Sequence, residues 1–379
     1  MTQALAGPFS TMLLADMGAD VVKVERPRGD MSRHSNPYAE DDQERAFGGY
    51  FASVNRNKRS IVLDLEQEAD RDIFLRLVPR YDAVVENYRA GVMEGFGAGY
   101  EALRELNPRL VYGAIRGFGD PRTGLSPYAD WPAFDVVAQA MGGVVSMTGT
   151  LDGDVLKVGP SIGDLYPATL MALGLTAALL HARESGEGQF VDVAMYDSIM
   201  ALCEAIVYRY SYAGIVTTPM GNSHAQLTPF DIYPTADGHI AIAAPTPKHW
   251  ELLCAVMDRM DLAEDERTYS NNHRVANAAF VRETMSAWTC TLPTAEIVRL
   301  LGGIVPVGPV NNAADLFADP HVAAREMLVA VDHPGASRPM VLPGTPIKFA
   351  TTPGGIYRRP PRIGEHRDEI LAELEGDTP

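Results

Sequence analysis

The sequence is poor in cysteine and in positive charge, and both shortages narrow the possible functions. Among its 379 residues, the cysteines Cys203, Cys254 and Cys290 are too few and too scattered for a disulfide framework or paired zinc-binding motifs. Thirty-two basic side chains stand against 49 acidic ones, which gives a formal charge of −17 at pH 7. The few scattered cysteines predict buried, reduced thiols in a cytoplasmic protein. Because the negative charge repels a polyanion, we expect no nucleic-acid partner.

Long hydrophobic runs and common catalytic motifs are also missing. Residues 1–8 have no basic flank before an apolar run, so they do not resemble a signal peptide. The uncharged stretch 165–182 only approaches membrane-spanning length and contains Pro167, so it predicts a core helix and no membrane partner. The patterns GxGxxG, HExxH and GxSxG and the phosphate-binding loop are absent, which leaves dehydrogenase, metalloprotease, α/β-hydrolase and P-loop chemistry without support.

Short β-branched runs alternate with helical periods through the first half of the chain. The predicted strands are 21–25, 61–65, 83–85, 110–115 and 190–193, and the predicted helices are 5–17, 67–78, 100–106, 136–142 and 167–181. These strands are hydrophobic without alternating, which is typical of a parallel sheet covered on both faces. The sequence therefore predicts an α/β fold with a doubly wound parallel sheet.

The pattern changes after about residue 212. Runs at 230–233 and 239–244 flank Thr235-Ala236-Asp237-Gly238, which predicts a hairpin, and three helical periods follow it. We therefore expect a smaller α+β domain at 221–315 and a large domain formed by 1–212 and 316–379. The last part of the chain is rich in proline and glycine and should wrap over the surface as extended chain.

Two aspartates begin apolar helical segments. Asp164 follows Gly163, where free helix amides and the helix dipole favour a carboxylate. It can be an N-cap, or an ionised carboxylate that acts as a nucleophile or base. Asp135 leads into the helix predicted at 136–142, where an N-cap is the simplest interpretation. Position alone does not separate the two roles.

Two basic clusters and one polar loop are further candidate binding elements. The clusters are Arg26, Arg28 and Arg33 after the first strand, and Arg56, Lys58 and Arg59 before the second. In an acidic protein they are either phosphate contacts or a solvated charged face. The turn-rich loop 221–228, which contains His224 and Gln226, precedes the hairpin and is a candidate substrate loop.

Several short motifs occur in an order that is known from one family. They are Leu5-Ala6-Gly7-Pro8, Gly18-Ala19-Asp20-Val21-Val22-Lys23-Val24-Glu25-Arg26, Asn57-Lys58-Arg59-Ser60, Val85-Glu86-Asn87-Tyr88, Gly163-Asp164, Gly186-Glu187-Gly188-Gln189, Asp319-Pro320-His321 and Gly364-Glu365-His366. Together they make the chain resemble the family III CoA-transferases, or CaiB/BaiF family, which includes formyl-CoA transferase, carnitine CoA-transferase and α-methylacyl-CoA racemase.

The resemblance implies a Rossmann-like large domain, a small domain, and a homodimer in which two chains pass through each other as interlocked rings. Members of the family usually have a β-strand before the Ala-Gly-Pro turn, whereas only a few residues precede that turn here. The expectation is that this strand is lost or that the start codon is placed late.

The resemblance also implies a site. Coenzyme A would be a substrate, carried as acyl-CoA, that lies across the large domain. The residues matched to it are Arg26 near the nucleotide, Leu63 in its pocket, Asn87 and Tyr88 along it, and Leu5 and Ala6 beside the thioester. Asp164 matches the catalytic aspartate and Asp135 an acidic residue of formyl-CoA transferase.

The implied reaction moves CoA from an acyl-CoA to a free carboxylate through an anhydride and a thioester on Asp164. It needs no permanently bound cofactor and no metal. Leu5 stands where formyl-CoA transferase has glutamine, and loop 221–228 is not glycine-rich, which argues against formyl and oxalate as substrates. His224 and Gln226 could instead orient a second carboxylate, as in succinate.

Two alternatives remain open. The racemase branch uses a histidine together with the aspartate, and the corresponding segment 131–143 contains no histidine, so transfer is favoured over racemisation. A protein that binds CoA without catalysis requires Asp164 to be only a helix cap.

Overall fold

The chain forms a mixed α/β structure, described here by a computed structural model for residues 1–376. Its helices are α1 (Ala6–Asp16), α2 (Gly49–Asn55), α3 (Glu68–Leu77), α4 (Val92–Gly95), α5 (Tyr100–Leu106), α6 (Asp135–Met141), α7 (Val144–Met147), α8 (Ile162–Ser185), α9 (Met195–Leu202), α10 (Glu204–Ala213), α11 (Pro247–Val256), α12 (Asp261–Glu264), α13 (Asn271–Ala276), α14 (Ala278–Thr289), α15 (Thr294–Leu301), α16 (Ala313–Ala318), α17 (Pro320–Ala324) and α18 (Arg367–Glu375).

Ten strands are interspersed among these helices. They are β1 (Val21–Glu25), β2 (Lys58–Val62), β3 (Ala83–Glu86), β4 (Val111–Arg116), β5 (Phe190–Ala194), β6 (Phe230–Pro234), β7 (His239–Ala243), β8 (Val307–Pro309), β9 (Leu328–Val331) and β10 (Met340–Pro343). Strands and helices alternate through the first half of the chain, as the sequence predicts.

The chain divides into two compact units. The first comprises Met1–Val145, Lys157–Val216 and the chain from Pro320 onward, and the second comprises Ser146–Leu156 and Thr217–Asp319. The range 221–315 lies inside the second unit. The loop at 146–156, which the sequence analysis placed in the large domain, belongs to the second unit because Leu151 lies beside Gly221 and Gly149 beside Pro219.

Parallel pairing in the first unit is confirmed, but the strands form two sheets instead of one. β1 pairs in parallel with β2, with Val21 opposite Lys58, and the second sheet has the parallel order β3-β4-β5. The predicted start of the second strand at residue 61 was wrong. Lys58, Arg59 and Ser60 are buried strand residues, although their polarity is typical of a loop.

A cavity of about 330 Å³ lies between the two sheets. Its walls include Val22 and Val24 of β1 and Val84 of β3, which are the edge strands of their sheets. Residues 1–3 are not in a strand, and Met1 lines this cavity. β1 and β3 are therefore separated by this cavity and do not pair with each other.

Helix α8 is the central packing element of the first unit. It packs against α1, α6, α9, β4 and β5, and its first turn begins before the predicted start at residue 167. Among the described residues, it is the one helix long and apolar enough to span a membrane by composition. Leu175 is fully buried whereas Leu173 is 67% exposed, so the prediction of a core helix holds for one face only.

The second unit contains the predicted hairpin. β6 and β7 are antiparallel, with Phe230 opposite Ala243, and β8 adds to the other edge of β7. The sheet and helices α11 to α15 bury a core that includes Trp250, Leu253 and Met285. This unit therefore combines an antiparallel sheet with helices.

The tail was predicted as extended chain, and this prediction was wrong in part. β9 and β10 form an antiparallel pair, and α18 packs against β2 with Ile370 fully buried. The proline and glycine residues separate these elements and do not prevent them.

Candidate active site

Asp164 lies in the first turn of α8 and is not its cap. Ser161 is the N-cap residue, and the Asp164 amide donates to the Ser161 carbonyl at 3.0 Å. Among residues 1–376, no protein hydrogen bond reaches the Asp164 carboxylate. The carboxylate is therefore available for chemistry while the helix start is satisfied by other groups.

Asp135 is joined to the same turn from a neighbouring helix. It is the first residue of α6, after the N-cap Phe134, so the N-cap interpretation is wrong for this aspartate too. Its Oδ1 accepts a hydrogen bond from the Gly163 amide at 2.8 Å. A Cβ on Gly163 would lie 2.4 Å from the Asp135 carbonyl oxygen, so only glycine allows this close approach.

The environment of Asp164 disfavours its ionised form. Burial, and then the negative charge of Asp135, raise the pKa of Asp164 to about 7. A carboxylate that is poorly solvated and without hydrogen bonds is more nucleophilic than one in water. Near neutral pH a substantial fraction of Asp164 is ionised, so its carboxylate is chemically suited to act as a nucleophile or as a base.

Tyr50 of α2 lies within electrostatic reach of both aspartates. It is half-buried, and burial followed by the charges of Asp164, Asp30 and Asp135 raises the pKa of its phenol. The Tyr50 phenol therefore stays neutral near pH 7 and keeps its hydroxyl as a hydrogen-bond donor.

Arg26 and Tyr88 come together at the carboxyl ends of β1 and β3. Arg26 is exposed, and its guanidinium lies 5.9 Å from the Tyr88 ring centre and 5.5 Å from that of Phe96. A small pocket beside them is lined by Gln3 and Gly29 as well. An exposed cation over aromatic faces can bind a phosphate or stack on a base.

Leu5 and Ala6 form the start of α1, held in place by polar side chains. Asn87 accepts from the Gln3 amide at 2.8 Å and donates to the Gln3 carbonyl at 2.9 Å. Asp30 accepts from the Ala4 amide at 3.1 Å, where the backbone has a left-handed φ of 59°. The Asn87 amide is thus used within the protein and fixes the turn before α1.

Leu63 is nearly inaccessible. Its side chain is 1% exposed and lies in the hydrophobic core with Ile61 and Phe74. In this structure Leu63 contributes to the packing of the hydrophobic core.

Four cations of the two basic clusters are structural, so the phosphate-contact interpretation is wrong for them. Arg33 pairs with Glu25 at 2.6 Å, Arg56 with Asp16 at 2.6 Å, and Arg59 with Asp20 and with Glu373; the Lys58 ammonium donates to the carbonyls of Pro8 and Val54 and to Asn55. Each cation is buried in the fold. Arg26 and Arg28 stay exposed.

His224 and Gln226 lie in a turn of the second unit. The Gln226 amide donates to His224 Nδ1 at 3.1 Å, and its carbonyl accepts from the Asn271 side chain at 2.8 Å. The His224 ring lies 5.2 Å from that of Phe230. The imidazole is therefore oriented by its own loop and by the first residue of β6.

Sequence reasoning missed Gln139, Tyr50 and Asp30. Gln139 stands four residues after Asp135 in an apolar helix, and this i,i+4 polar pair was a detectable signal. Tyr50 and Asp30 approach the site through tertiary packing, which no local pattern in the sequence reveals.

Comparison with known proteins decides the family. The family model described as CoA-transferase family III matches residues 1–367. The chain belongs to this family. Family III membership confirms the resemblance seen in the sequence and makes the protein an enzyme, a CoA-transferase.

Relatives of this family III enzyme extend over its whole length. It is 53% identical to the succinyl-CoA:mesaconate CoA-transferase of Haloarcula hispanica, covering 98% of this chain and 94% of the relative. It is 38% identical to the succinate–glutarate CoA-transferase of Agrobacterium fabrum, covering 99% and 94%. A solved CaiB/BaiF family protein from Brucella suis matches with a TM-score of 0.88 and 33% identity, covering 99% of this chain and 97% of that one.

Proposed function

We propose that this CoA-transferase moves CoA from a dicarboxylic acyl-CoA of the succinyl-CoA type to a second dicarboxylate of the mesaconate type. The observation that carries the proposal is the 53% identity, over 98% of the chain, to a relative with that named activity. The relative named for succinate and glutarate points to the same substrate class. Leu5 and the glycine-poor loop 221–228 fit substrates other than formate and oxalate.

The proposed chemistry begins at the Asp164 carboxylate. Its oxygen attacks the thioester carbonyl, the carbon–sulfur bond breaks, and CoA leaves as a thiolate from a mixed anhydride. The thiolate then attacks the aspartyl carbonyl carbon and releases the donor carboxylate, which carries away one aspartyl oxygen. An aspartyl-CoA thioester remains, and covalent catalysis has divided one difficult exchange into easier steps.

The second half of the cycle repeats these steps with the acceptor. The acceptor carboxylate displaces the thiolate from the aspartyl thioester to form a second anhydride, and the thiolate attacks its acyl carbon. The new acyl-CoA leaves, and Asp164 is regenerated with one oxygen from the acceptor. No net proton is transferred, and CoA kept in the site between steps avoids the entropic cost of recapture.

We assign the binding roles by the chemistry of the exposed groups. Arg26 contacts the CoA phosphates or base beside Tyr88, and Leu5 and Ala6 at the start of α1 lie along the thioester. Asn87 acts through the Gln3 backbone, which its amide holds. His224 and Gln226 orient the distal carboxylate of the acyl group.

The proposal includes a Rossmann-like large domain, a small domain and an interlocked homodimer in the cytoplasm. Support for the dimer comes from α8, α9 and α10, which expose Leu173, Leu180, Met200, Val207, Tyr210 and Tyr212. Helix α10 has no buried residue at all. An apolar surface of this extent is typical of one that is covered by another chain.

A substrate panel tests the activity. The purified protein is incubated with succinyl-CoA, glutaryl-CoA or acetyl-CoA and with single free acids, and new acyl-CoA species are identified by mass spectrometry. We expect new thioesters from dicarboxylic donors and acceptors, and none with Asp164→Asn.

The other two interpretations predict different results when a single enantiomer of a 2-methylacyl-CoA is added to the panel and its configuration is followed by chiral chromatography. Inversion at the α-carbon of a 2-methylacyl-CoA without CoA transfer would identify a racemase. Binding of CoA with neither reaction would leave a non-catalytic protein.

A further inference from the structure

One buried amide connects the aspartate pair to the loop that precedes α8. Gln139 of α6 is 0% exposed, and both ends of its side chain are bonded. Nε2 donates to Asp135 Oδ1 and Oδ2, each at 3.0 Å, and lies 3.5 Å from the Pro160 carbonyl. Oε1 accepts from the Val158 amide at 2.9 Å.

These hydrogen bonds connect Gln139 to Asp164 indirectly, through Asp135 and through the segment before α8. Asp135 Oδ1, oriented by the Gln139 amide, accepts the Gly163 amide next to Asp164. Val158 and Pro160 belong to the segment that enters α8, whose N-cap is Ser161. A shift of Gln139 would therefore move both the charge beside Asp164 and the chain that carries it.

We propose that Gln139 is a positioning residue for the transfer reaction, holding the Asp135 carboxylate and the 158–160 segment in place beside Asp164. The inference rests on the proposed role of Asp164 as the nucleophile. Gln139 does not touch the reacting atoms. It acts by holding the Asp135 carboxylate through two hydrogen bonds and by fixing the backbone before α8.

The position of the Asp135 charge should affect the pH at which Asp164 ionises, and this pH can be measured. The Gln139 amide holds the Asp135 carboxylate in place near Asp164, where burial and then the negative charge of Asp135 raise the pKa of Asp164. Without the Gln139 amide, the Asp135 carboxylate is free to turn away from Asp164, so Asp164 should ionise at lower pH. With a carboxylate in place of the amide, an additional negative charge lies beside the pair, so Asp164 ionises at higher pH.

The test compares Gln139→Met and Gln139→Glu with wild type in the pH dependence of kcat/KM, with succinyl-CoA as donor and mesaconate as acceptor. We expect kcat to fall roughly ten- to a hundredfold in Gln139→Met, while KM for the donor changes by less than about threefold. The acidic limb of the profile should move to lower pH in Gln139→Met and to higher pH in Gln139→Glu. A purely structural role would not move the limb in opposite directions.

Two controls separate local from general effects. Gln67→Met changes an exposed glutamine before α3 and should leave the profile unchanged. Ile370→Val trims a buried side chain of α18, and should lower the melting temperature without moving the acidic limb. Gln139→Glu keeps the side-chain shape and the acceptor for Val158. If Gln139→Met does not fold, a shift of the acidic limb to higher pH in Gln139→Glu alone is the expected result, and an unmoved limb would contradict the proposal.

The outcomes are distinct. Wild-type kcat and an unmoved acidic limb in a folded Gln139 variant, together with an inactive Asp164→Asn, would overturn the proposal for Gln139 and leave the nucleophile assignment standing. Activity in Asp164→Asn would overturn both. Opposite shifts of the limb in the two Gln139 variants would support the positioning role.

Discussion

Asp135 and Asp164 differ in their hydrogen-bond partners, and this difference supports the different roles that we propose for them. Asp135 is satisfied by the Gly163 amide and the Gln139 side chain, whereas within residues 1–376 the Asp164 carboxylate accepts no protein hydrogen bond. A satisfied carboxylate is suited to hold charge in place. An unsatisfied, partly buried one is suited to react.

Removing the charge of Asp135 should change the pH dependence of transfer. Asp135→Asn keeps an oxygen that can accept from Gly163 but removes the negative charge that raises the pKa of Asp164. The acidic limb of kcat/KM should therefore move down by about one pH unit. Kinetics between pH 5 and pH 9 measure the shift. An unmoved limb, or one that moves upward, would show that the limb does not report Asp164.

The raised pKa of Asp164 also has a cost in stability. Its folded-state pKa of about 7 lies above the ordinary 3.8, so the folded protein binds the proton more tightly than the unfolded chain between these values. Stability therefore falls as pH rises through this window, and the loss is complete above the folded pKa. Asp164→Asn should avoid this loss and raise the free energy of unfolding by about 1–2 kcal/mol at pH 8.

Denaturant unfolding at several pH values tests that expectation. The advantage of Asp164→Asn should shrink as the pH falls and should vanish below the ordinary value of 3.8, where the wild-type carboxyl is protonated in the folded and in the unfolded state. Asp72→Asn is a suitable control, because Asp72 lies on the exposed face of α3. A variant no more stable than wild type at pH 8 would contradict the assigned environment of Asp164.

At the scale of elements, the basic motif before β2 connects distant parts of the chain. Arg56 donates to Asp16 at the end of α1, and the Asn57 side chain bonds to Asp16 and to the Gly355 carbonyl. Arg59 pairs with Asp20 and with Glu373 of α18. These contacts thus hold residue Gly355 and helix α18 against the start of β2.

Breaking the Arg56–Asp16 pair should cost stability but not ligand affinity. Both side chains are almost fully buried, so Arg56→Met leaves an unpaired buried carboxylate and should lower the free energy of unfolding by about 3–5 kcal/mol. Denaturation and calorimetric titration with CoA measure the two quantities. Arg28→Met, at an exposed position, is the matched control for stability. Weaker CoA binding with unchanged stability would instead support a phosphate contact.

The sequence predicts an element well when neighbouring residues determine it, and poorly when contacts with distant residues determine it. β1 was predicted with its observed ends because Val21, Val22 and Val24 form a dense β-branched run. β2 was displaced because the burial of Lys58 and Arg59 depends on acceptors distant in sequence, such as Pro8 and Asp20.

The site shows the same division between local and tertiary causes. Asp164 and Asp135 were found as candidates because each begins an apolar helix, but their link through Gly163 needs the contact of two helices. The positions of the charged residues in the sequence do not predict that Arg33 pairs with Glu25. The sequence alone therefore suggests a candidate phosphate site at the cluster that contains Arg33. Helix starts have local signatures, whereas the partners of buried charges do not.

At the scale of the whole molecule, the exposed apolar faces of α8 and α10 are the feature that a single chain leaves unexplained. Leu173 is 67% exposed and Tyr212 is 91% exposed. We therefore expect a homodimer in solution that buries this surface.

Introducing charge on α10 should weaken the dimer. Val207→Glu combined with Tyr210→Glu places two carboxylates on a surface that would become desolvated on association. Sedimentation velocity should find a dimer for wild type and for the exposed control Arg104→Glu, and a large monomer fraction for the double variant. A monomeric wild type at micromolar concentration would contradict the expectation.

The account depends above all on covalent catalysis at Asp164, and one isotope measurement tests it directly. The enzyme turns over succinyl-CoA with mesaconate whose carboxylates carry the heavy oxygen isotope, and the protein is then digested and its peptides are weighed. Covalent catalysis predicts that the peptide containing Asp164 gains heavy oxygen from the first turnover and approaches two labelled atoms within a few turnovers, while the peptide containing Asp135 gains none. Continued formation of mesaconyl-CoA with no label at Asp164 would contradict it.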